Sequence, residues 1–337
     1  MPGGGSGRRA AAAAMVLACC AGFASGFSPL SLPALTPTPR AAHSPGSAAS
    51  AAAVGPRLRS PRGGVLSSQM MAKSAKSSRA ELESVRNSLY PMMKDLADGI
   101  DRVLGEKLEL SPFQLPEDMQ TVEGMMESGR CVIENSAYQS PEFRKIHMEL
   151  ATFFNPAGQS TGLDILHCVL FPRSADVGPS VPMFGCDIVC VKGQITAAIV
   201  DLSPVAADKK LPSDYVEEVR RRAGKLLEFS QPRDIPEFGT HIFSKELCTF
   251  VRPSTPEEET QFVELCLEVL RVHCELSGKR FKDGGVDDSM ALEAVQGQTF
   301  YCDKQSENDK TRRILESAFG KEWSDRYMTT VLFDKPV

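Results

Sequence analysis

Two polar side chains stand out against apolar surroundings. Side chains alternate along an extended run, so in Ile165–Phe171 the residues Ile165, Val169 and Phe171 share a face with His167. In the next apolar run, Met183, Gly185, Val189 and Val191 share a face with Asp187. Burying even a neutral polar group without a partner costs about 2–7 kcal/mol. Asp187 therefore needs a partner, a ligand or a proton, and its pKa is expected to rise. Gly185, two residues away on that face, leaves room for a flat ligand. An imidazole and a carboxyl group on neighbouring strands can move protons to and from a substrate. The same pair can also be a satisfied core contact, and the residues alone leave both readings open.

Two further clusters carry chemistry. Ser140-Pro141-Glu142 reads as a helix start: a cap, a proline in the first turn and an acid against the dipole. The helix it predicts has the apolar stripe Phe143, Ile146, Leu150, Phe153 and Phe154. His147 falls on that stripe, and Glu149 flanks it where a solvated carboxylate would be ordinary. The run Asp309-Lys310-Thr311-Arg312-Arg313 reads either as a charged helix start or as a place to capture carboxylate or phosphate.

The elements that must position these groups follow from pattern. A helix is expected over Glu81–Leu104, with Pro91 as a break and Gly105 as a stop. Thr255-Pro256-Glu257 opens another, striped by Phe262, Leu265, Cys266, Val269, Leu270 and Val272. Ser306-x-x-Asp309 opens a last one that runs to Gly320. Strands are expected at Cys131–Asn135, Ile165–Phe171, Phe184–Val191, Ile195–Asp201, Cys248–Arg252 and Thr329–Phe333. Lys192-Gly193 between two of them is a hairpin turn. Short connections imply an antiparallel sheet, and strands apolar on both faces imply helices on both sides. The expected fold is an α/β three-layer α/β/α sandwich with a central antiparallel sheet.

Several function classes drop out. There is no phosphate-binding glycine loop, no G-x-G-x-x-G after a strand, no G-x-S-x-G and no H-E-x-x-H. Beyond Cys19 and Cys20, eight cysteines sit singly in apolar runs without a C-x-x-C pair, so they read as small buried hydrophobes rather than zinc ligands. Cys186 and Cys190 share a strand face too far apart to chelate readily. The net charge of -5 hides a split, because residues 1–80 hold nine basic side chains and no acid. The remainder has 29 basic against 43 acidic residues, which repels nucleic acid. No stretch after residue 80 approaches the roughly 20 apolar residues of a transmembrane span.

The basic head reads as an address. Arg8-Arg9 precede an apolar core, Ala10 to Gly22, and then Ala24-Ser25-Gly26 and Phe27. Residues 1–26 are read as a signal peptide and 27–80, rich in Ser, Ala, Pro and Arg, as a transit peptide or linker ahead of one domain at 81–337. This layout resembles the bipartite presequence of a plastid bounded by extra membranes, which implies a plastid stroma. A secretory signal followed by a linker is the plainer alternative.

Six ordered motifs then carry a family resemblance. They are Tyr138–Leu150 with its H-x-E pair, Leu163–Val169, Met183–Val189, Ala197–Pro204, Phe229–Arg233 and Asn308–Arg313. Together they resemble the ferredoxin-dependent bilin reductases from about residue 85 onward. The resemblance implies a single α/β/α domain, a monomer, that binds biliverdin IXα between sheet and C-terminal helices with no metal or flavin. Reduced ferredoxin is then the external electron donor. Carried over by position, Asp187 protonates the bilin, His167 bonds to Asp187 or the bilin lactam, and Glu149 donates during reduction of the D-ring vinyl group. His147, Thr196, Arg233, Asp309 and Lys310 fall where the family contacts propionates or supports the pocket, with Thr196 standing where a serine-like residue is usual. Glu149, His167 and Asp187 together imply the branch that carries biliverdin through four electrons to phycocyanobilin. A sister regiochemistry with a two-electron product and a non-catalytic bilin carrier are the alternatives. An acidic donor docking on an acidic body needs a basic patch, for which Lys209, Lys210, Arg220, Arg221, Arg222, Lys225, Lys310 and Arg312 are candidates.

Overall fold

In the computed structural model the described residues are 85–336, so the expected signal peptide and the 27–80 stretch lie outside them. The strands are β1 (Ser111–Pro112), β2 (Thr121–Met126), β3 (Gly129–Gln139), β4 (Phe143–Phe154), β5 (Ser160–Pro172), β6 (Met183–Val191), β7 (Gln194–Ser203) and β8 (Thr249–Val251). They form one antiparallel sheet in the order β1-β3-β4-β5-β6-β7-β8, with β2 also paired to β3. The sheet therefore has the antiparallel topology that the short connections implied. Lys192 and Gly193 link β6 to β7 with φ of 53° and 73°, the left-handed pair that a two-residue hairpin of this hand requires.

Helices cover both faces. Period-two alternation sends Leu166, Cys168 and Leu170 of β5, and Phe184, Cys186, Ile188 and Cys190 of β6, to one face. There they pack under α1 (Pro91–Lys107), α3 (Ser213–Ala223) and α4 (Pro256–Asp283), with the short α2 (Ser174–Val177) at the end of β5. The opposite face carries Ile165, Val169 and Phe171 of β5 and Met183 and Val189 of β6. It lies under α5 (Asp288–Ser306), α6 (Asp309–Phe319), α7 (Lys321–Tyr327) and the π-helical turn Met328–Leu332. This is the three-layer sandwich.

Local signals behave as their chemistry dictates. Pro91 breaks the first helical stretch and becomes the first residue of α1, which runs two residues past Gly105. Thr255 caps α4 by accepting from the Glu258 amide, with Pro256 next and three acids in the first turn. The last expected helix begins at Asp309, and Asn308, not Ser306, caps it by accepting from the Lys310 amide. Ser306 instead ends α5, a helix that the sequence reading did not assign.

Two elements differ from expectation. The segment from Phe143 to Phe154 is strand β4, not a helix. Ser140–Glu142 forms the turn that leads into it, where the Phe143 amide donates to Ser140 Oγ. Serine and proline serve turns as readily as helix starts. β4 is a central strand buried on both faces from Lys145 to Phe153, so no polar alternation marks it. Thr329–Phe333 is likewise not a strand: the chain is π-helical from Met328 to Leu332. Its β-branched residues suggest extended chain, but Met328, Val331 and Leu332 lie on one helical side and are buried there.

Candidate active site

Strand register decides which side chains meet. Asn135, Glu149, His167, Asp187, Ile199 and Phe250 are successive partners across β3, β4, β5, β6, β7 and β8. Directly opposed residues have Cβ atoms about 4.5–5.5 Å apart, so Glu149, His167 and Asp187 stand shoulder to shoulder. Because β4 is a strand, His147 and Glu149 lie two residues apart on the same face. The reading of Glu149 as a solvated helix residue is corrected: it is 7% exposed.

From Glu149 to Phe250 this row floors a cleft between the sheet and the C-terminal helices. Counting its open mouth, the cleft holds about 940 Å³ free of atoms, within the range of pockets for small organic ligands. Ile133, Phe153 and Phe250 from the strands, Phe238 and Phe243 from the loop before β8, and Phe333 from the C-terminal segment supply apolar walls. Gly185 lies in the wall, and a Cβ there would approach only the Tyr301 hydroxyl, at 3.4 Å. The missing side chain thus keeps the floor beside Asp187 open, as the sequence suggested.

Burial sets the charge states. Desolvation, helped by the nearby Asp187 carboxyl, pushes the Glu149 acid up to about 7 against the pull of the Tyr327 hydroxyl. Desolvation takes His167 down to about 4, with the Lys145 charge adding to the effect, so its ring is neutral near pH 7. His147 is driven well below its ordinary value by burial, Lys145 and His167. The two rings meet edge to face at 6.4 Å, and Phe333 meets His167 edge-on at 5.8 Å. Lys145 is fully buried and holds the C-terminal segment by donating to the Val331 carbonyl and pairing with Asp334.

Some expected residues stand off the cleft wall. His147 lies behind it and donates through Nε2 to Asn135 Oδ1 at 2.8 Å. Thr196 sits where β7 bulges against Val189 and Cys190, and donates to the Val189 carbonyl. Arg233 donates to the Thr196 carbonyl and lies over the ring of Phe250, which lines the cleft. Asp309 is exposed and pairs with Arg313, while Lys310 is half-buried. Their neighbours Asn308 and Thr311 are the ones that line the cleft.

The sequence reading missed other lining groups. Asp201 is buried, receives the Ser203 and Ser244 hydroxyls at 2.6 Å each, and is nonetheless pushed up to about 6 by desolvation. Tyr301 and Gln305 of α5 face the floor, with the Gln305 amide donating to the Tyr301 hydroxyl at 3.0 Å. A carboxylate mid-strand at Asp201, two residues from a register position opposite Asp187, was the available signal. Nothing in the local sequence marks Tyr301, because its role depends on where α5 packs.

Among the described residues no group of three or more His, Cys, Asp or Glu is placed to hold a metal ion. No helix among them is long and apolar enough to cross a membrane. A large apolar cleft floored by two carboxyl groups and an imidazole defines an enzyme-type pocket for a bulky, largely apolar ligand whose chemistry involves protons.

The comparisons with known proteins agree with this class. Residues 97–334 match the model of the ferredoxin-dependent bilin reductases. The phycocyanobilin:ferredoxin oxidoreductase of Trichodesmium erythraeum is 44% identical over 246 residues, covering 73% of this chain and 94% of the relative. That of Synechococcus elongatus is 44% identical over 254 residues, covering 75% and 96%. A crystal structure of phytochromobilin synthase from tomato in complex with biliverdin has the same fold, with a TM-score of 0.57 at 16% identity, covering 71% of this chain and 81% of that one. The chain belongs to the ferredoxin-dependent bilin reductase family and is an oxidoreductase of that family.

Proposed function

We propose that the protein reduces biliverdin IXα to phycocyanobilin with four electrons drawn singly from reduced ferredoxin. The observation that carries this reading is the row Glu149–His167–Asp187, three adjacent cross-strand neighbours on the floor of one apolar cleft. The names of the 44%-identical relatives point the same way. A tetrapyrrole's conjugated system can hold an unpaired electron, so the protein's task is to add protons in step with electrons. Asp187 serves the bilin directly. His167, a neutral ring beside it, exchanges a hydrogen bond with Asp187 or the bilin lactam. Glu149, poised near pH 7, gives the proton for reduction of the D-ring vinyl group.

His147, Thr196, Arg233, Asp309 and Lys310 support the pocket or its propionate ends in this reading. The basic residues divide between the two helical layers. Arg221 and Arg222 of α3 pair with Glu218, and Arg222 also with Glu268 and Glu275, on the layer away from the cleft. Lys209, which lies over Phe300 of α5, and Lys310 and Arg312 of α6 lie with the layer that covers the cleft. Ferredoxin docks on the cleft side, because that approach brings its cluster toward the pigment. The protein acts as a monomer in a plastid stroma, reached through the 1–26 signal and the 27–80 transit segment.

The test is anaerobic incubation with biliverdin and a light- or NADPH-driven ferredoxin system, with chromatography of the pigment. Phycocyanobilin is the expected product. Unchanged biliverdin would leave a carrier, and a two-electron product would mean a sister regiochemistry.

A further inference from the structure

Glu149 on the cleft floor and three polar groups behind it form a chain whose protons can be counted. The Tyr327 hydroxyl is 2.8 Å from Glu149 Oε2 and 2.7 Å from Asn135 Oδ1. Asn135 Oδ1 is also 2.8 Å from His147 Nε2. The Asn135 amide cannot be turned round, because its Nδ2 donates to the Met119 carbonyl at 2.8 Å. Oδ1 must therefore accept from both neighbours. That places a proton on His147 Nε2, and it leaves Nδ1 as a lone pair, consistent with the absence of a hydrogen-bond partner there among the described residues. It also commits the single Tyr327 proton to Asn135. Two oxygens at 2.8 Å need a proton between them, so the contact between Glu149 and Tyr327 must be bridged by the Glu149 proton.

We propose that Asn135 and Tyr327 are positioning residues that set the protonation of Glu149 through a hydroxyl that can turn. With the site at rest, Tyr327 donates to Asn135 and accepts from protonated Glu149. When the Glu149 O–H bond breaks and its proton passes to the bilin, the carboxylate left behind attracts the Tyr327 hydrogen. Tyr327 keeps its proton and only redirects it, giving up Asn135 to stabilise the new charge. Asn135 thus holds the acid in its loaded form, and Tyr327 supports the spent form. Stacking of Tyr327 on Trp323, with ring centroids 4.7 Å apart, fixes the phenol ring so that the hydroxyl turns in place.

This inference rests on the reading of Glu149 as an acid of the site, but its test does not use turnover. Glu149 also has His167 and Asp187 beside it across β5 and β6 and His147 and Lys145 on its own face of β4, while Cys131 of β3 lines the same cleft. Asp201 and Tyr301 line the same cleft, and Lys310 stands behind its wall. These remain in every variant, so they do not set the sign of a difference between variants. Ligand-free protein labelled with 13C at glutamate carboxyls is titrated by NMR, with the Glu149 signal assigned by Glu149→Gln.

In the unmodified protein Glu149 should be protonated at pH 6, and an ionised carboxylate there would overturn the inference without recourse to further variants. Tyr327→Phe removes the donor to the carboxylate and the acceptor for the acid. The charge-assisted bond is the stronger, so the midpoint should rise by about one pH unit. Asn135→Leu frees the Tyr327 proton for the carboxylate, so the midpoint should fall by about as much. Asn135→Ala serves if the leucine variant does not fold. Shifts of both variants in the same direction, or none, would mean a merely structural role. A normal product profile from Glu149→Gln would remove the donor role and leave the titration readable. An altered profile with unmoved midpoints would keep the donor role and defeat the switch.

Discussion

The two faces of the sheet come from the same strands yet do opposite work. On the face covered by α1, α3 and α4, β5 and β6 present Leu166, Cys168, Leu170, Phe184 and Ile188, all fully buried. On the other face the same strands present His167, Gly185 and Asp187 among Ile165, Val169 and Val189. The first face is covered by helices of 17, 11 and 28 residues, the second by helices of 19, 11 and 7 residues and a π-helical turn. One side spends its apolar area on close packing, and the other keeps a cleft open and accepts buried polar groups beside it. Each face holds a fully buried histidine, but their partners differ. His273, surrounded by Phe143, Phe184 and Tyr215, has no hydrogen-bond partner for either nitrogen among the described residues, whereas His147 belongs to the chain that ends on Glu149.

The largest expected effect lies on the cleft face. Asp187→Asn should reduce turnover by about 10²–10⁴, the usual worth of a general acid, while bilin binding persists and an unpaired electron accumulates on the pigment. Stopped turnover with retained binding, read by absorbance and electron paramagnetic resonance, checks this. Unimpaired turnover would erase the functional distinction between the faces.

The packed face should answer in stability instead. Phe184→Ala should cost about 3–5 kcal/mol in chemical denaturation, because a fully buried ring leaves a cavity that neighbours fill only in part. Ile165→Ala should cost less, since Ile165 already borders open space in the cleft. Equal losses would show that the cleft wall is packed as tightly as the core.

The pH dependence of stability should separate His273 of the packed face from Glu149 of the cleft by sign. Burial holds His273 down to about 3, so the unfolded chain binds the proton more readily than the fold. His273 therefore withdraws stability as pH falls from about 6.5 toward 3, at roughly 1.4 kcal/mol per pH unit. Glu149, raised from 4.5 to about 7, does the reverse. Its stabilising contribution is complete below 4.5 and is lost as pH rises to about 7. Relative to the unmodified protein, His273→Phe should lose a rise of stability with pH between about 3 and 6.5, and Glu149→Gln should lose a fall of stability with pH between 4.5 and about 7. A difference of the opposite sign for either variant, read from denaturation midpoints against pH, would break the assignment.

The smallest effect concerns docking. Arg312→Ala on the cleft side should slow ferredoxin-driven reduction by a few-fold at low salt, with the difference fading as salt screens the charge. Arg221→Ala, on the layer away from the cleft, should leave the rate unchanged. The opposite ranking, in rates measured against salt concentration, would move the docking surface to the packed face.

How much of this was legible depended on whether a strand shows one face to a contrasting environment. β5 and β6 could be read because His167 and Asp187 interrupt an otherwise apolar period of two. β4 could not, because both of its faces are buried and Ser140-Pro141-Glu142 suits a helix start as well as a turn. Glu149 was placed beside His167 and Asp187 by the motif it shares with a family, and the physical reason came only with the strand. Asn135 and Tyr327 went unseen, since Tyr327 reaches Glu149 across 178 residues of chain.

The sequence by itself determined the sandwich, the β6–β7 turn, the proline-led start of α4 and the chemistry of the residues at the floor. Each of these rests on local rules: side-chain periodicity, backbone angles open to glycine, and the orphan donors of a helix terminus. Tertiary structure alone decided that three titratable groups from three strands stand in register and that the C-terminal helices leave a cleft above them. It also decided that Tyr327 meets Glu149. Register and helix docking are set by non-local packing, and burial is what moves Glu149 to about 7 and His167 to about 4. A side chain's type fixes which proton it can hold, and the surrounding fold decides at what pH it lets that proton go.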